Sequence, residues 1–110
     1  MSEPIKVGAA GMSRGHYILE GHTPVACDLL TWAKWFERRE GRVAKTDKDG
    51  VTVSTMFLGL DHQYGDGPPL LFETMIFGGE HNDYQERCST WDEAEKMHAD
   101  ACKVAFGEQP

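Results

Sequence analysis

The sequence predicts an α+β domain in which an antiparallel sheet of three to five strands carries two helices on one face. Three observations lead to this fold class. Helical apolar spacing occurs near the start and at the end of the chain, whereas period-two segments separated by glycine-rich turns fill the middle. A chain of 110 residues with 40% apolar content also suits one core. We expect a mobile tail over residues 1–15 and a single domain over residues 16–110, arranged as two layers.

A short strand and a helix are predicted first. HYILEGH, residues 16–22, alternates as a short strand does. Thr23 and Pro24 then have the character of an N-cap and a first helical residue. Apolar residues follow at spacings of three and four as far as Phe36, and Gly41 is the expected C-cap. The pattern predicts an amphipathic helix between Pro24 and Gly41.

The middle of the chain is predicted to form an antiparallel meander. Residues 42–46 and 51–60 flank the turn sequence DKDG, in which Gly50 suits a bulged hairpin. After a long loop, LLFETMIFGG forms the next strand, and YQERC, residues 84–88, forms a short last one.

The pairing of the central hairpin decides which residues share a face of the sheet. We expect Leu60 to lie opposite Leu70. One face then carries Val51, Val53, Phe57, Leu71, Met75 and Phe77, and the other carries Met56, Leu58, Leu60, Leu70, Phe72 and Ile76. Because two helices cover only one apolar face, this pairing predicts a homodimer or another contact through the sheet. Alternatively, the tail and the loops cover the second face.

A second helix closes the chain. Thr90 and Glu93 have the spacing of a capping box, and Gly107 is expected to end the helix. Between them, Ala94, Met97, His98, Ala101, Cys102 and Ala105 form a continuous stripe on one side.

The negative charge of the chain is concentrated in its second half. The net charge is −7; residues 1–60 carry eight Lys and Arg against seven Asp and Glu, whereas residues 61–110 carry three against eleven. Such a surface repels phosphate, so we expect no direct binding of nucleic acid and favour a basic protein partner. Alternatively, the acidic surface serves solubility.

Cysteine usage and hydropathy indicate a cytoplasmic protein with no membrane span. Cys27, Cys88 and Cys102 are an odd number without CxxC spacing, which argues against a disulfide framework and a structural zinc site. No segment approaches the roughly 20 apolar residues that a membrane span needs, and no signal peptide is evident.

The loop between the central strands offers a candidate catalytic group. Asp61, His62 and Glu73 could converge for acid-base chemistry or metal binding, and Asp61, His62, Tyr64 and Asp66 are candidate binding residues because loops commonly carry such groups. The alternative is that these are ordinary loop residues and that Glu73 points outward or bonds to Thr55.

Trp35, Arg38 and Arg39 are the other binding candidates. Trp35 lies beside the apolar stripe of the first helix, and an exposed tryptophan with arginine neighbours is typical of a binding hot spot for a protein or a nucleotide base. Alternatively, Trp35 only shields the flank of the helix.

Metal binding and thiol chemistry have weaker support. His98 and Cys102 are four residues apart, a spacing that metal sites use, but no second compact pair exists and such residues are more often core residues. Cys88 or Cys102 as a nucleophile would need a base that the pattern does not supply. We expect no cofactor.

VSTMFLGLDHQYGDGPPLLFETMIFGG and YQERCSTWDEAEKMHADA resemble a family of small, functionally unassigned bacteriophage and prophage proteins. The resemblance extends over about residues 16–106 and includes HYILEGHTPV and WAKWFE. It implies an accessory role in the host cytoplasm, where small phage proteins commonly act on host machinery, including CRISPR effectors.

Three functional hypotheses follow from these observations. The first is a phage anti-defence protein, anti-CRISPR-like, that binds and inhibits a basic or nucleic-acid-handling host protein through its acidic half. The second is a binder of a small nucleotide-type signal that uses Trp35, Arg38 and Arg39. The third is a small hydrolase or metal enzyme that uses Asp61, His62 and Glu73, so the enzymatic alternative stays open.

Overall fold

The computed structural model describes residues 15–39, 41–62 and 67–107. In chain order, the elements are β1 (Tyr17–Glu20), β2 (Thr23–Ala26), α1 (Leu29–Arg38), β3 (Arg42–Lys48), β4 (Val51–Phe57), β5 (Phe72–Phe77), β6 (Gln85–Cys88) and α2 (Trp91–Phe106). Strands β1 and β2 form an antiparallel pair, and β3 to β6 form a four-stranded antiparallel sheet in sequence order. The predicted α+β fold class and meander are confirmed. The predicted tail lies outside the described residues except for Gly15.

Helix α2 packs on the four-stranded sheet and begins as predicted. The Thr90 hydroxyl accepts the Glu93 amide at 3.1 Å, the Glu93 carboxylate accepts the Thr90 amide at 3.2 Å, and Gly107 is the C-cap. Its buried residues are Ala94, His98 and Ala101. In the described parts of the chain, neither helix combines the length with the apolar character that a membrane span requires.

Both helices contact the same face of the sheet. Phe57 at the end of β4 stacks on Phe36 of α1, with ring centroids 6.0 Å apart, and also meets the edge of Trp35 at 5.8 Å. Phe57 belongs to a buried cluster with Leu71, Phe72 and Ala94 of α2. The β1–β2 pair joins the same region, because the Tyr17 amide donates to the Gly59 carbonyl at 2.8 Å.

The predicted pairing of β4 with β5 is wrong by one residue. Thr55 lies opposite Thr74, and the Leu58 amide donates to the Leu71 carbonyl. Leu60 instead forms an isolated bridge with His16. Because side chains alternate between faces, a shift of one residue moves all of β5 to the other side. The covered face therefore holds Val53, Thr55, Phe57, Phe72, Thr74 and Ile76, and the opposite face holds Thr52, Ser54, Met56, Glu73, Met75 and Phe77.

This opposite face mixes polar and apolar side chains. The expectation of two apolar faces, on which the sheet-mediated homodimer depended, is therefore wrong. Phe77 is the large apolar residue exposed there, at 47% of its surface.

The predicted start of the first helix is also wrong. Residues 23–26 form β2, which pairs with β1 across the two-residue turn at Gly21 and His22. Gly21 has a φ of +64°, which a tight turn of this kind requires. Asp28 is the actual N-cap, since its carboxylate accepts the Thr31 amide at 2.8 Å. The helix ends at Arg38, before the predicted cap at Gly41.

Candidate functional site

Trp35 of α1 is half-buried and anchored on the core. Its ring meets Phe36 edge-on at 4.7 Å and Phe57 edge-on at 5.8 Å. The Arg39 guanidinium lies 5.9 Å from the centre of the same ring, within the range of a cation–π contact. The sequence prediction that Trp35 stands beside arginines is confirmed for Arg39, and the ring both packs inward and borders the surface.

Two surface grooves meet at Trp35 and Arg39. The first, here called the Lys34 groove, has a volume of about 340 Å³ and is lined by Ile18, Thr31, Lys34, Trp35, Arg38 and Arg39. The second, here called the Trp91 groove, has a volume of about 250 Å³ and is lined by Leu19, Gly21, His22, Trp35, Arg39, Gly41, Arg42 and Trp91. Trp35 and Arg39 are therefore the shared residues of a bipartite concave surface.

The aromatic wall of the Trp91 groove continues into the core. Trp91 meets Phe72 edge-on at 6.3 Å, Phe72 contacts Phe57 at 5.2 Å, and Phe57 contacts Trp35. The two tryptophans of the groove are thus joined by a chain of ring contacts, which fixes their positions before any ligand arrives. On its other side, Trp91 stacks flat against His22, with centroids 3.7 Å apart and planes at 4°.

Trp91 also holds an unused hydrogen-bond donor. Its Nε1 is buried and finds no hydrogen-bond acceptor in the described parts of the chain. A buried donor without a partner is costly and is an informative exception in a folded protein.

The two grooves are bordered by cations. Lys34, Arg38, Arg39 and Arg42 are all exposed. Between residues that the structure describes, no ion pair involves Lys34, Arg38 or Arg39. This local positive charge contrasts with the net charge of −7 of the whole chain, so the surface attracts an anion that the remaining surface repels.

The candidate catalytic residues have separate structural partners. The Asp61 carboxylate accepts the Leu70 amide at 3.1 Å, which closes the base of the loop. The Glu73 carboxylate accepts a hydrogen bond from the side-chain amide of Gln85 and forms an ion pair with Arg87 at 3.1 Å. Both contacts lie on the opposite side of the sheet from α2. His62 binds Leu70 through its backbone. Tyr64 and Asp66 lie outside the described residues.

His98 is buried between α2 and the sheet. Its Nε2 lies 3.0 Å from the Thr46 hydroxyl and its Nδ1 lies 2.8 Å from the Thr55 hydroxyl, which in turn bonds to Thr74. Burial lowers the pKa of His98 below its ordinary value. Both ring nitrogens therefore serve the core, which leaves neither available for a metal shared with Cys102. No cluster of three metal-binding side chains occurs within the described ranges.

Cys88 has the environment of an unreactive thiol. Burial, and then the nearby Glu93 carboxylate, raises the pKa of the Cys88 thiol to about 11. A nucleophilic cysteine requires the opposite shift, since the thiolate is the reactive form.

The sequence had suggested Trp35, Arg38 and Arg39, which line these grooves, but not His22, Arg42 and Trp91, which line the Trp91 groove. Helical periodicity detected α1 and its neighbours, whereas the Trp91 groove joins residues of β1, α1 and β3 to Trp91 of α2, which is distant from them in sequence. The available signal was Trp91 itself, a large aromatic residue at the first position of α2.

The chain is a small α+β protein whose surface around Trp35 combines aromatic rings with exposed cations. Comparison with models of known protein families, with curated proteins and with solved structures gives no match.

Proposed function

We propose that this chain is a non-enzymatic binding protein that recognises an anionic partner through the surface around Trp35. The observation that carries the proposal is the meeting of two grooves at Trp35 and Arg39, where a ring held by the core stands among four exposed cations. Concave sites with an aromatic wall and a few polar groups are the usual places for ligands.

The surrounding chemistry favours binding over catalysis. The carboxylates of Asp61 and Glu73 hold a loop and a strand pair, and the imidazole of His98 bonds to two threonines. By contrast, Arg38 and Arg39 present guanidinium groups at the surface, and these groups recognise phosphate and carboxylate in a bidentate manner. The second sequence hypothesis therefore gains support, whereas the hydrolase hypothesis gains none.

Anion titrations at low ionic strength test this proposal. Pyrophosphate and AMP are the probes, and their binding is measured by calorimetry and by tryptophan fluorescence. We expect Arg39→Ala to weaken binding about tenfold, because a hydrogen bond to a charged group is worth roughly 1.5–3 kcal/mol, and added salt to weaken it further. Lys103→Ala, on the exposed side of α2, is the matched control. If neither probe binds, or if both variants bind equally, the proposal is wrong.

A second candidate function rests on a different surface. Exposed carboxylates lie on α2 and on the segment before it, at Glu80, Asp83, Glu86, Asp92, Glu95 and Asp100. They support the first sequence hypothesis, a phage-encoded inhibitor of a basic host protein. Affinity purification during infection tests it: a basic host protein should be retained by the wild-type chain and released by salt. Retention of the same protein by an Asp92→Lys, Glu95→Lys double variant would argue against this role.

A further inference from the structure

We infer that the Trp91 groove binds one mononucleotide, a molecule that joins a flat ring to a single phosphate group. This inference rests on the proposed function and deepens it, because it selects one of the two grooves and names the chemistry of the ligand. It draws on two features of that groove: a stacked ring already in place and a pair of guanidinium groups.

The stacked ring is the imidazole of His22. It lies parallel to Trp91 at 3.7 Å, so a flat nitrogen heterocycle fits against this tryptophan. His22 is exposed and belongs to the two-residue turn between β1 and β2, where a side chain moves at little cost. The imidazole therefore occupies the position of a nucleotide base, and the base displaces it from Trp91 when the ligand binds. Stacking of this kind tolerates any base.

The phosphate site is formed by Arg39 and Arg42, which line the same groove. Arg39 is already oriented by its contact with the Trp35 ring, so less of its conformational freedom is lost on binding. The volume of about 250 Å³ matches a small ligand, below the usual range of drug-sized pockets of about 300–1,000 Å³.

The other groove and a longer nucleic acid both fit less well than a mononucleotide in the Trp91 groove. The Lys34 groove has cations but only the Trp35 ring, so it offers no second aromatic wall to recognise a base. A long nucleic acid would pass from this cationic surface onto the acidic second half of the chain, whose net charge is −8 from three Lys and Arg against eleven Asp and Glu. A single nucleotide meets the cations without meeting that repulsion.

The test separates ring recognition from charge recognition by calorimetry of the full chain. AMP is the complete probe, ribose 5-phosphate lacks the base, and adenosine lacks the phosphate. We expect AMP to bind at least about tenfold more tightly than either fragment, in line with the measured worth of base stacking and charged hydrogen bonds. A ten-nucleotide single strand serves as a competitor and should bind no more tightly than AMP.

The variants then assign the groove. Arg42→Ala should weaken AMP and ribose 5-phosphate alike, about tenfold, and by more than Lys34→Ala in the other groove does, whereas Lys103→Ala on the exposed side of α2 should change neither. His22→Ala should tighten AMP severalfold, because the imidazole no longer competes for Trp91, and should leave ribose 5-phosphate unchanged. Trp91→Leu should weaken AMP alone, with thermal melting used to verify that the variant folds.

The outcomes distinguish this inference from the proposal beneath it. Equal binding of AMP and ribose 5-phosphate would refute ring recognition but leave anion binding intact. If Lys34→Ala loses AMP binding and Arg42→Ala keeps it, the site lies in the other groove and the inference is overturned. Tighter binding of the single strand than of AMP would make the ligand a nucleic acid instead. Binding of no anion at all would remove the proposed function as well.

Discussion

Gly59 is predicted to be the least replaceable glycine of the described chain. It follows β4, is buried, and has a φ of +71°. A Cβ at this position would lie 2.6 Å from Trp32 Nε1, 2.6 Å from the Tyr17 carbonyl and 2.8 Å from Phe36 Cε2. The left-handed backbone costs an alanine about 1–2 kcal/mol, and overpacking costs about 1–3 kcal/mol more. We therefore expect Gly59→Ala to lower the free energy of unfolding by about 2–5 kcal/mol.

Gly50 supplies the matched control for this prediction. Its φ is +81°, but among the described residues no atom beyond its two chain neighbours would lie within 4 Å of an alanine methyl group at this position, because the turn between β3 and β4 is open. Gly50→Ala should therefore cost only the backbone strain, about 1–2 kcal/mol. Urea unfolding of both variants measures the difference, and thermal melting should show Gly59→Ala at least about 10 °C below the wild-type chain. Equal destabilisation by the two substitutions would refute the close packing of Tyr17, Trp32 and Phe36 around Gly59.

Three further predictions concern the core and α2. Burial lowers the pKa of His98, so the unfolded chain takes up a proton at a higher pH than the folded chain. The stability that neutral His98 contributes is therefore complete above about pH 6.5 and is lost as the pH falls toward the folded pKa. Urea unfolding at about pH 7.5 and about pH 5.5 should show this loss of stability, and the loss should be smaller in His98→Gln. The same pH dependence in the variant and the wild-type chain would contradict the prediction. Cys88, with a thiol pKa of about 11, should react with iodoacetamide far more slowly in the native chain than in urea, and equal rates would contradict the burial. Thr90→Ala should lower the free energy of unfolding by about 1 kcal/mol because it removes the N-cap of α2. Thr90→Ser should retain most of the stability that the cap provides, and thermal melting can check both variants.

The sequence predicted the elements of the sheet better than their pairing. Glycine and proline mark the ends of strands locally, and the DKDG turn and the capping box of α2 needed no tertiary information. The pairing of β4 with β5 spans the long loop from residue 58 to residue 71, so turn chemistry does not constrain it. Both strands contain apolar residues at odd and even positions, so two registers looked alike. The helix covers Thr55 and Thr74, two polar residues within an otherwise apolar face, and His98 supplies a hydrogen bond to Thr55.

The first helix illustrates a competition between two local signals. Thr23 and Pro24 suit a helix start, and the residues after them suit the helical stripe. Gly21 permits a tight turn, however, and pairing with β1 satisfies the backbone of residues 23–26. Pro24 is tolerated because β2 is an edge strand, where a missing N–H is less costly. Asp28 then provides a second candidate cap five residues after Thr23, and the helix begins directly after it.

The candidate site and the core share the same aromatic residues, and this connection limits how binding can be studied. Phe57 and Phe72, both almost fully buried, join Trp35 to Trp91. Substituting either phenylalanine with alanine would remove about 3–5 kcal/mol of stability and shift the groove walls at once. Loss of binding in such variants would therefore say nothing about recognition. The exposed positions His22 and Arg42 border the Trp91 groove without belonging to the buried core, so substitutions there disturb the core less than those of the phenylalanines.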